Sequence, residues 1–228
     1  MTPGEDKPSE IALNVTRTRV TVLAFNLTIV SFMLSIKITR GEFSDADILS
    51  HLPSTVALFA GFCVTILGLW WLLVSQHQDA EGLSRPWPFT FGAITTYLAL
   101  SQTTNAFLHE YLVGLTTGVM GAEKTVTGGI QSLLGNESLG HTASLVLLSM
   151  GAAIWCLVTY IAPLLTVLKG PLAGRRAWVF AVYYLSIQLP IFWVYAVAWQ
   201  LVATAAHTET SMLTLFAFQF FPPLLWSR

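Results

Sequence analysis

Charged residues are confined to short stretches of this chain, and the uncharged runs between them constrain its fold most. Lysine, arginine, aspartate and glutamate make up 10% of the 228 residues, against about 25% in soluble globular domains. The uncharged runs cover residues 20–36, 48–78, 86–109, 138–168, 177–208 and 210–227. Several of them exceed the roughly 20 residues that a helix needs to cross a bilayer. The sequence therefore predicts an all-α integral membrane protein with the lipid bilayer as its main surrounding.

The apolar segments within these runs predict a polytopic bundle of six transmembrane helices. A polar N-terminal tail, residues 1–18, precedes a transmembrane domain over residues 19–228. The predicted spans are about residues 20–38, 53–75, 87–109, 143–168, 177–205 and 212–226. Pro53 is expected in the first turn of span two, where a proline costs no hydrogen bond, and Pro190 is expected to kink span five. Span six is short and contains Pro222-Pro223, so an interfacial segment is its alternative.

Two loop features complete the predicted topology. Residues 112–142 hold seven glycines, and glycine at that density disfavours a continuous helix, so we expect a mobile outer loop there. Lysine and arginine near span ends favour the cytoplasmic side. With the N terminus inside, eight of these residues fall on the inner side and three on the outer side. The sequence therefore predicts a cytoplasmic N terminus in a bacterial-type inner membrane.

The sequence carries no pattern typical of catalysis, metal binding or cofactor binding. HExxH, GxSxG and P-loop motifs are missing from it. Cys63 and Cys156 lie in separate apolar runs, which predicts small buried apolar residues and neither a disulfide nor a metal site. A net charge of −1 without a basic stripe argues against nucleic acid. We therefore expect no enzyme, no catalytic residue, no metal and no cofactor.

All five histidines fall at the edges of predicted spans. A haem would need imidazoles that face each other inside the bundle, so these histidines are interpreted as interfacial polar residues. The alternative is a polar cluster on the outer face, in which the His109 and Glu110 pair meets His51 or His141. Neighbours in sequence point in different directions on a helix, which weakens a site that needs both His109 and Glu110.

Asn26 is the most informative polar residue of span one. A carboxamide that faced lipid would lack hydrogen-bond partners, so it needs a neighbouring helix or water. At helical spacing it shares one stripe with Arg19, Leu23, Val30, Met33 and Lys37. This stripe is either a contact between helices held by one asparagine or a surface that faces a pore.

Residues 17–111 resemble the potassium channels of endosomes and lysosomes and their smaller bacterial relatives. The segments that carry this likeness are Leu34-Ser35-Ile36-Lys37-Ile38, Leu52-Pro53-Ser54, Gly68-Leu69-Trp70-Trp71, Gln76-His77-Gln78 and Ala106-Phe107-Leu108-His109-Glu110-Tyr111. The Arg-x-x-x-Phe-Ser-Asp motif of that family is not matched, because Thr21-Val22-Leu23 stands where Phe-Ser-Asp would follow Arg17.

The resemblance implies a potassium-type cation channel, a homotetramer of six-helix subunits with a pore lined by the first helix. Bulky apolar residues would form its constriction, and Asn26, Val30 and Met33 become the candidate pore-lining residues. The alternative function is a non-catalytic accessory or scaffold subunit that binds unlike membrane subunits. That alternative explains the missing motifs equally well, and the aromatic-rich fifth span would offer it a packing surface.

Overall fold

The computed structural model describes residues 7–39, 45–81, 86–120, 137–169, 177–205, 207 and 210–221. The helices are α1 (Lys7–Thr39), α2 (Asp45–Ala80), α3 (Pro86–Met120), α4 (Glu137–Cys156), α5 (Ala162–Lys169), α6 (Ala177–Ala205) and α7 (Met212–Phe218). A π-helical segment, Leu157–Ile161, joins α4 directly to α5, and these three elements are called the fourth long helix. The regular structure of the described residues is entirely helical, which confirms the predicted all-α class.

Three helices are long and apolar enough to cross a membrane. They are His51–Gln78 within α2, Val146–Leu168 within the fourth long helix and Ala177–Ala205, which is α6. These helices correspond to predicted spans two, four and five. Helix α3 is equally long, but the run Ser101-Gln102-Thr103-Thr104-Asn105 makes it more polar. Spans one, three and six stay predictions.

The long helices form a bundle in which neighbours along the chain run antiparallel. Helix α3 is central, because it contacts α1, α2, every part of the fourth long helix, and α6. The pairs that fix the directions are Asn26 with Thr65, Leu23 with Gly68, Leu72 with Gly92, Gly61 with Gln102, Leu108 with Gly151, Ser101 with Thr159, Thr95 with Tyr183 and His109 with Trp199. These pairs make α6 parallel to α3.

Small residues let the central helices approach closely. A Cβ atom added to Gly92 of α3 would lie 2.8 Å from Cδ2 of Leu72 on α2, so a larger residue there would require the Leu72 side chain or the helices to shift. Gly151 of α4 has the same role, since an added Cβ would collide with the Leu108 side chain of α3. Within a membrane, close approach of this kind supplies much of the attraction between helices.

The π-helical segment has a local cause in the sequence. Pro163 lies just after it, and proline lacks the N–H that would bond the carbonyl four residues earlier, on Thr159. The Ala162 N–H instead bonds the carbonyl of Leu157, five residues back. The freed Thr159 carbonyl accepts a hydrogen bond from the Tyr184 hydroxyl of α6 at 2.7 Å. The π-helical segment therefore lacks one hydrogen bond within the helix and gains one hydrogen bond to a neighbouring helix, α6.

Several helix boundaries differ from the predicted ones. Helix α1 begins at Lys7 and so includes part of the predicted tail. Helix α2 begins at Asp45, which places Pro53 inside the helix and not in its first turn. Helix α3 continues to Met120 and α4 begins at Glu137, so both ends of the glycine-rich stretch are helical. Each glycine costs a helix only about 1 kcal/mol, so the glycine content of this stretch is a weak signal against a helix. Residues 121–136 lie outside the described part.

The cysteines and the predicted sixth span also require comment. Cys63 is exposed and Cys156 half-buried, so the prediction that both are buried is wrong, because each lies toward an outer face of its helix. Of residues 212–226, α7 covers seven, a length of about 10 Å. Helix α7 folds back along α6, with the Phe220 ring 4.9 Å from that of Phe192. Residues 222–228 lie outside the described part.

Candidate functional site

The predicted pore residues Asn26 and Val30 lie on the face of α1 that packs against the bundle. The Asn26 amide donates a hydrogen bond of 3.0 Å to the Thr65 hydroxyl of α2, and this hydroxyl donates to the Gly61 carbonyl at 2.6 Å. Val30 is buried in an apolar cluster with residues of α2, α3 and α6. The Met33 side chain lies outside the described part. The structure thus places Asn26 and Val30 on the buried face of α1, inside the bundle, and their pore-lining role stays a prediction.

The opposite face of α1 is exposed and has a distinct composition. Arg17 and Thr18 are exposed at its start, and the exposed residues after them are Thr21, Ala24, Phe25, Thr28, Ser31, Phe32 and Ser35. Their spacing of three or four residues places them on one stripe along the helix. We call this set the α1 outer face. It consists of small side chains, mostly with hydroxyl groups, and two phenylalanines seven residues apart.

The hydroxyl groups of this face are compatible with a membrane. The Thr21 hydroxyl donates to the carbonyl of Arg17 at 2.9 Å, and the Thr28 hydroxyl donates to that of Ala24 at 3.0 Å. Bonds to the preceding turn satisfy the threonine proton without a partner helix. Each oxygen keeps a lone pair that can accept a bond from water or contact a cation. The face can therefore meet either a closely packed helix or an aqueous path.

A polar cluster joins the N-terminal part of α2 to the C-terminal part of α3, and it contains one of the pairs that the sequence alternatives named. His51 Nδ1 lies 2.9 Å from Glu110 Oε2, and the Ser54 hydroxyl donates to the other carboxylate oxygen. His109 instead points toward α6, where its ring centroid lies 5.0 Å from that of Trp199. The pairing of Glu110 with His51 is confirmed, and His109 diverges from it as the helix geometry predicts. The His141 side chain lies outside the described part.

The cluster holds α2 against α3 but has the wrong order for nucleophilic catalysis. A serine nucleophile needs a base that takes its proton, and that base needs an orienting carboxylate behind it. Here the Glu110 carboxylate lies between Ser54 and His51, and it contacts both. In the described ranges, no group of three histidine, cysteine or acidic side chains is placed to hold a metal ion.

The opposite end of the bundle is aromatic. Trp71, Trp87, Phe91, Phe180 and Tyr183 form a continuous set of ring contacts between α2, α3 and α6, with centroid distances from 4.4 to 6.2 Å. Beside this set, the Arg19 guanidinium lies 4.6 Å above the Phe89 ring. A cation and large rings at one level suit the headgroup region of a bilayer. This end therefore has the composition of an interfacial aromatic belt.

No protein-family model, no curated protein and no solved structure matches this chain. The resemblance of residues 17–111 to the endosomal and lysosomal potassium channels therefore stays a prediction. A functional argument must therefore rest on the composition of the exposed and buried surfaces.

Proposed function

We propose that this chain is an integral membrane protein that forms a homo-oligomeric, potassium-type cation channel, with the α1 outer face lining the path between subunits. The observation that carries the proposal is the composition of that face, because small hydroxyl-bearing side chains cover it where lipid contact would favour large aliphatic ones. The lysine and arginine bias supports a cytoplasmic N terminus in a bacterial-type inner membrane.

The α1 outer face differs from surfaces that simply meet lipid. Lipid chains are as apolar as leucine, so a helix gains nothing by exposing threonine and serine to them. Small residues do allow close packing of helices, and hydroxyl oxygens interact with water and ions. In a ring of α1 helices, the edges of this stripe would pack against neighbouring α1 helices, and its centre would face the aqueous path. A tetramer is the assembly that the family resemblance implies.

Phe25 and Phe32 are the candidates for the apolar constriction. Their side chains are 67% and 65% exposed in the single subunit, and seven residues of helix separate them by about 10 Å. A ring of phenyl groups narrows a path and excludes water from it, so ions stop passing although no charged gating residue moves. The two rings would alternate with the hydroxyl groups of Thr21, Thr28 and Ser31.

Asn26 and Val30 acquire a supporting role in this proposal. A path between subunits is lined by side chains on the outside of each subunit, and these two are buried within it. The bond from Asn26 to Thr65 fixes the rotation of α1 against α2. That rotation decides which residues reach the path. The pore-facing stripe of this proposal is therefore opposite to the one that holds Asn26, Val30 and Met33.

The same observation favours one second function, a non-catalytic accessory or scaffold subunit. A stripe of small residues is what a helix needs to pack closely against an unlike transmembrane helix. In that case the α1 outer face is covered by another protein and no aqueous path exists. The two functions differ in what covers this face, which makes them separable by experiment.

The test is potassium and sodium flux from liposomes that contain only this protein, together with the mass of the oligomer by native mass spectrometry. The channel proposal expects flux above that of empty liposomes and a single homo-oligomeric mass. Copurification with unlike membrane proteins and no flux after their removal would support the accessory subunit. A monomer without flux or partners would contradict both functions.

A further inference from the structure

Two glutamine side chains face each other in the centre of the bundle, where α3 contacts α6. Gln102 and Gln188 are 1% and 2% exposed, and Gln188 lies near the middle of the membrane-spanning helix Ala177–Ala205. Their one mutual contact is long, with Gln102 Nε2 at 3.4 Å from Gln188 Oε1. The other polar atoms, Gln102 Oε1 and Gln188 Nε2, have no hydrogen-bond partner.

These partnerless atoms do not result from the orientation given to the amides. Each carboxamide has two N–H donors and an oxygen with two lone pairs, so one mutual bond leaves most of this capacity unused. Rotating both groups by half a turn exchanges their nitrogen and oxygen atoms. The contact then forms the other way round, and one oxygen and one N–H group still remain. In either orientation the pair presents an unused donor beside an unused acceptor.

We propose that Gln102 and Gln188 bind a small uncharged molecule that both donates and accepts hydrogen bonds, either water or a solute of the same chemistry such as urea. The mixed pair selects this class of ligand. A bare cation would be held by oxygen atoms alone and would be repelled by the Gln188 N–H group. An anion would likewise be repelled by the Gln102 oxygen. A molecule such as water satisfies both atoms at once, as buried waters do in other proteins.

The π-helical segment provides an independent indication of a site at this level. Turns of this kind are rare and frequently occur at functional sites. Here the Thr159 hydroxyl lies 2.6 Å from that of Ser101, which precedes Gln102. Its carbonyl bonds Tyr184, one turn before Gln188 on α6. Polar groups from three helices thus meet within about one helical turn of the glutamine pair. This site lies within one subunit, whereas the proposed ion path runs between subunits.

The test uses the intact protein in detergent micelles with 15N-labelled glutamine, and it measures magnetisation transfer between water and the side-chain amides. We expect a cross-peak from water to the amides of Gln188 and Gln102. Gln219 is the comparison residue, because it is equally buried but its Nε2 donates to the Leu215 carbonyl at 3.0 Å, so only its Oε1 lacks a partner. Its amide should show weaker transfer than that of Gln188, whose Nε2 has no acceptor. Gln76 is the positive control, because its side chain is exposed and its amide should show transfer from water.

Assignment comes from Gln102→Met and Gln188→Met, each of which should remove one pair of amide signals. If either variant does not fold, replacement by asparagine should shift the pair instead. Addition of urea then separates the two ligands. Water transfer without a urea-dependent shift supports a water site, and a saturable shift at both glutamines supports a solute site. Gln102 and Gln188 amides that show neither water transfer nor a urea shift, as expected for a dry contact, would overturn the proposal whatever the ion flux.

Discussion

The outside of the bundle has two kinds of surface, and their difference is the strongest functional evidence in this chain. The fourth long helix and α6 expose large apolar side chains along their whole length, among them Val146, Leu147, Met150, Ile154, Leu157, Ile161, Leu164, Leu165, Leu168, Val182, Leu185, Leu189, Val194, Val197 and Leu201. The α1 outer face instead exposes threonine, serine and alanine with two phenylalanines. One surface has the composition that suits lipid chains, and the other is the one that the proposed assembly covers.

The comparison separates two meanings of exposure in a membrane protein. An exposed leucine on α5 needs no explanation, because lipid is its natural solvent. An exposed threonine on α1 loses nothing in lipid, because its proton bonds the preceding turn, but it gains nothing either. A stripe of such residues over four turns therefore indicates a partner surface or water. Each prediction below changes one residue of α1 and sets a matched control variant beside it.

The largest effect is expected from a bulky residue on the α1 outer face. Thr28→Trp should disrupt the oligomer, because an indole would hold neighbouring helices apart, and association should weaken at least tenfold, or about 1.4 kcal/mol. The matched control is Leu164→Trp on α5, where the native side chain is 57% exposed. Sedimentation in detergent measures both. Loss of the oligomer in the Leu164 variant alone would place the contact on α5 and break the comparison.

A smaller effect is expected at the constriction. Phe32→Asn should hydrate the narrow point, because a carboxamide in place of a phenyl group lowers the barrier to water. Lowering that barrier by about 1.4 kcal/mol would raise potassium flux about tenfold. Phe59→Asn is the control, since the Phe59 ring of α2 is 62% exposed but lies beside an apolar groove with Val194 and Pro190. Equal flux in both variants would remove Phe32 from the path.

How much of this fold the sequence predicts depends on which physical rule applies. Spans two, four and five are recovered because a bilayer demands about 20 apolar residues in a row, and charges rarely interrupt them. The ends of α3 and α4 are missed, because about 1 kcal/mol per glycine is too small a cost to rule out a helix. The π-helical segment has a sequence signal in Pro163, whose missing N–H frees the Thr159 carbonyl.

The candidate site is recovered only in part, for a different reason. The pairing of Glu110 with His51 follows from topology, since both residues end neighbouring spans on one side. The rotation of α1 about its own axis does not follow from the sequence, because polar residues occur on both of its faces. Asn26 lies on one face and Thr21, Thr28 and Ser31 on the other, so polarity alone gives no inward side. The contact of Gln102 with Gln188 joins two distant spans, and only the packed bundle brings them together.

The smallest effect separates the two faces of α1 itself, through a double-mutant cycle on the bond from Asn26 to Thr65. Asn26→Leu should destabilise the protein by about 1 kcal/mol, in the range of interhelical hydrogen bonds in membranes. The cost stays small because Thr65 keeps its bond to the Gly61 carbonyl. Combination with Thr65→Val should give a coupling of about 0.5 to 1 kcal/mol. Thermal unfolding in detergent measures each variant.

Thr28→Val is the matched control for this cycle, because it removes a hydroxyl from the opposite face. That hydroxyl bonds the Ala24 carbonyl of its own helix, so its loss should leave the stability of the single subunit unchanged and no coupling to Thr65 should appear. The Asn26 variant should keep its oligomer, since its side chain points into the subunit. An Asn26→Leu protein that is stable as a subunit but no longer assembles would reverse the assignment of the two faces. It would return the stripe of Asn26, Val30 and Met33 to the path between subunits.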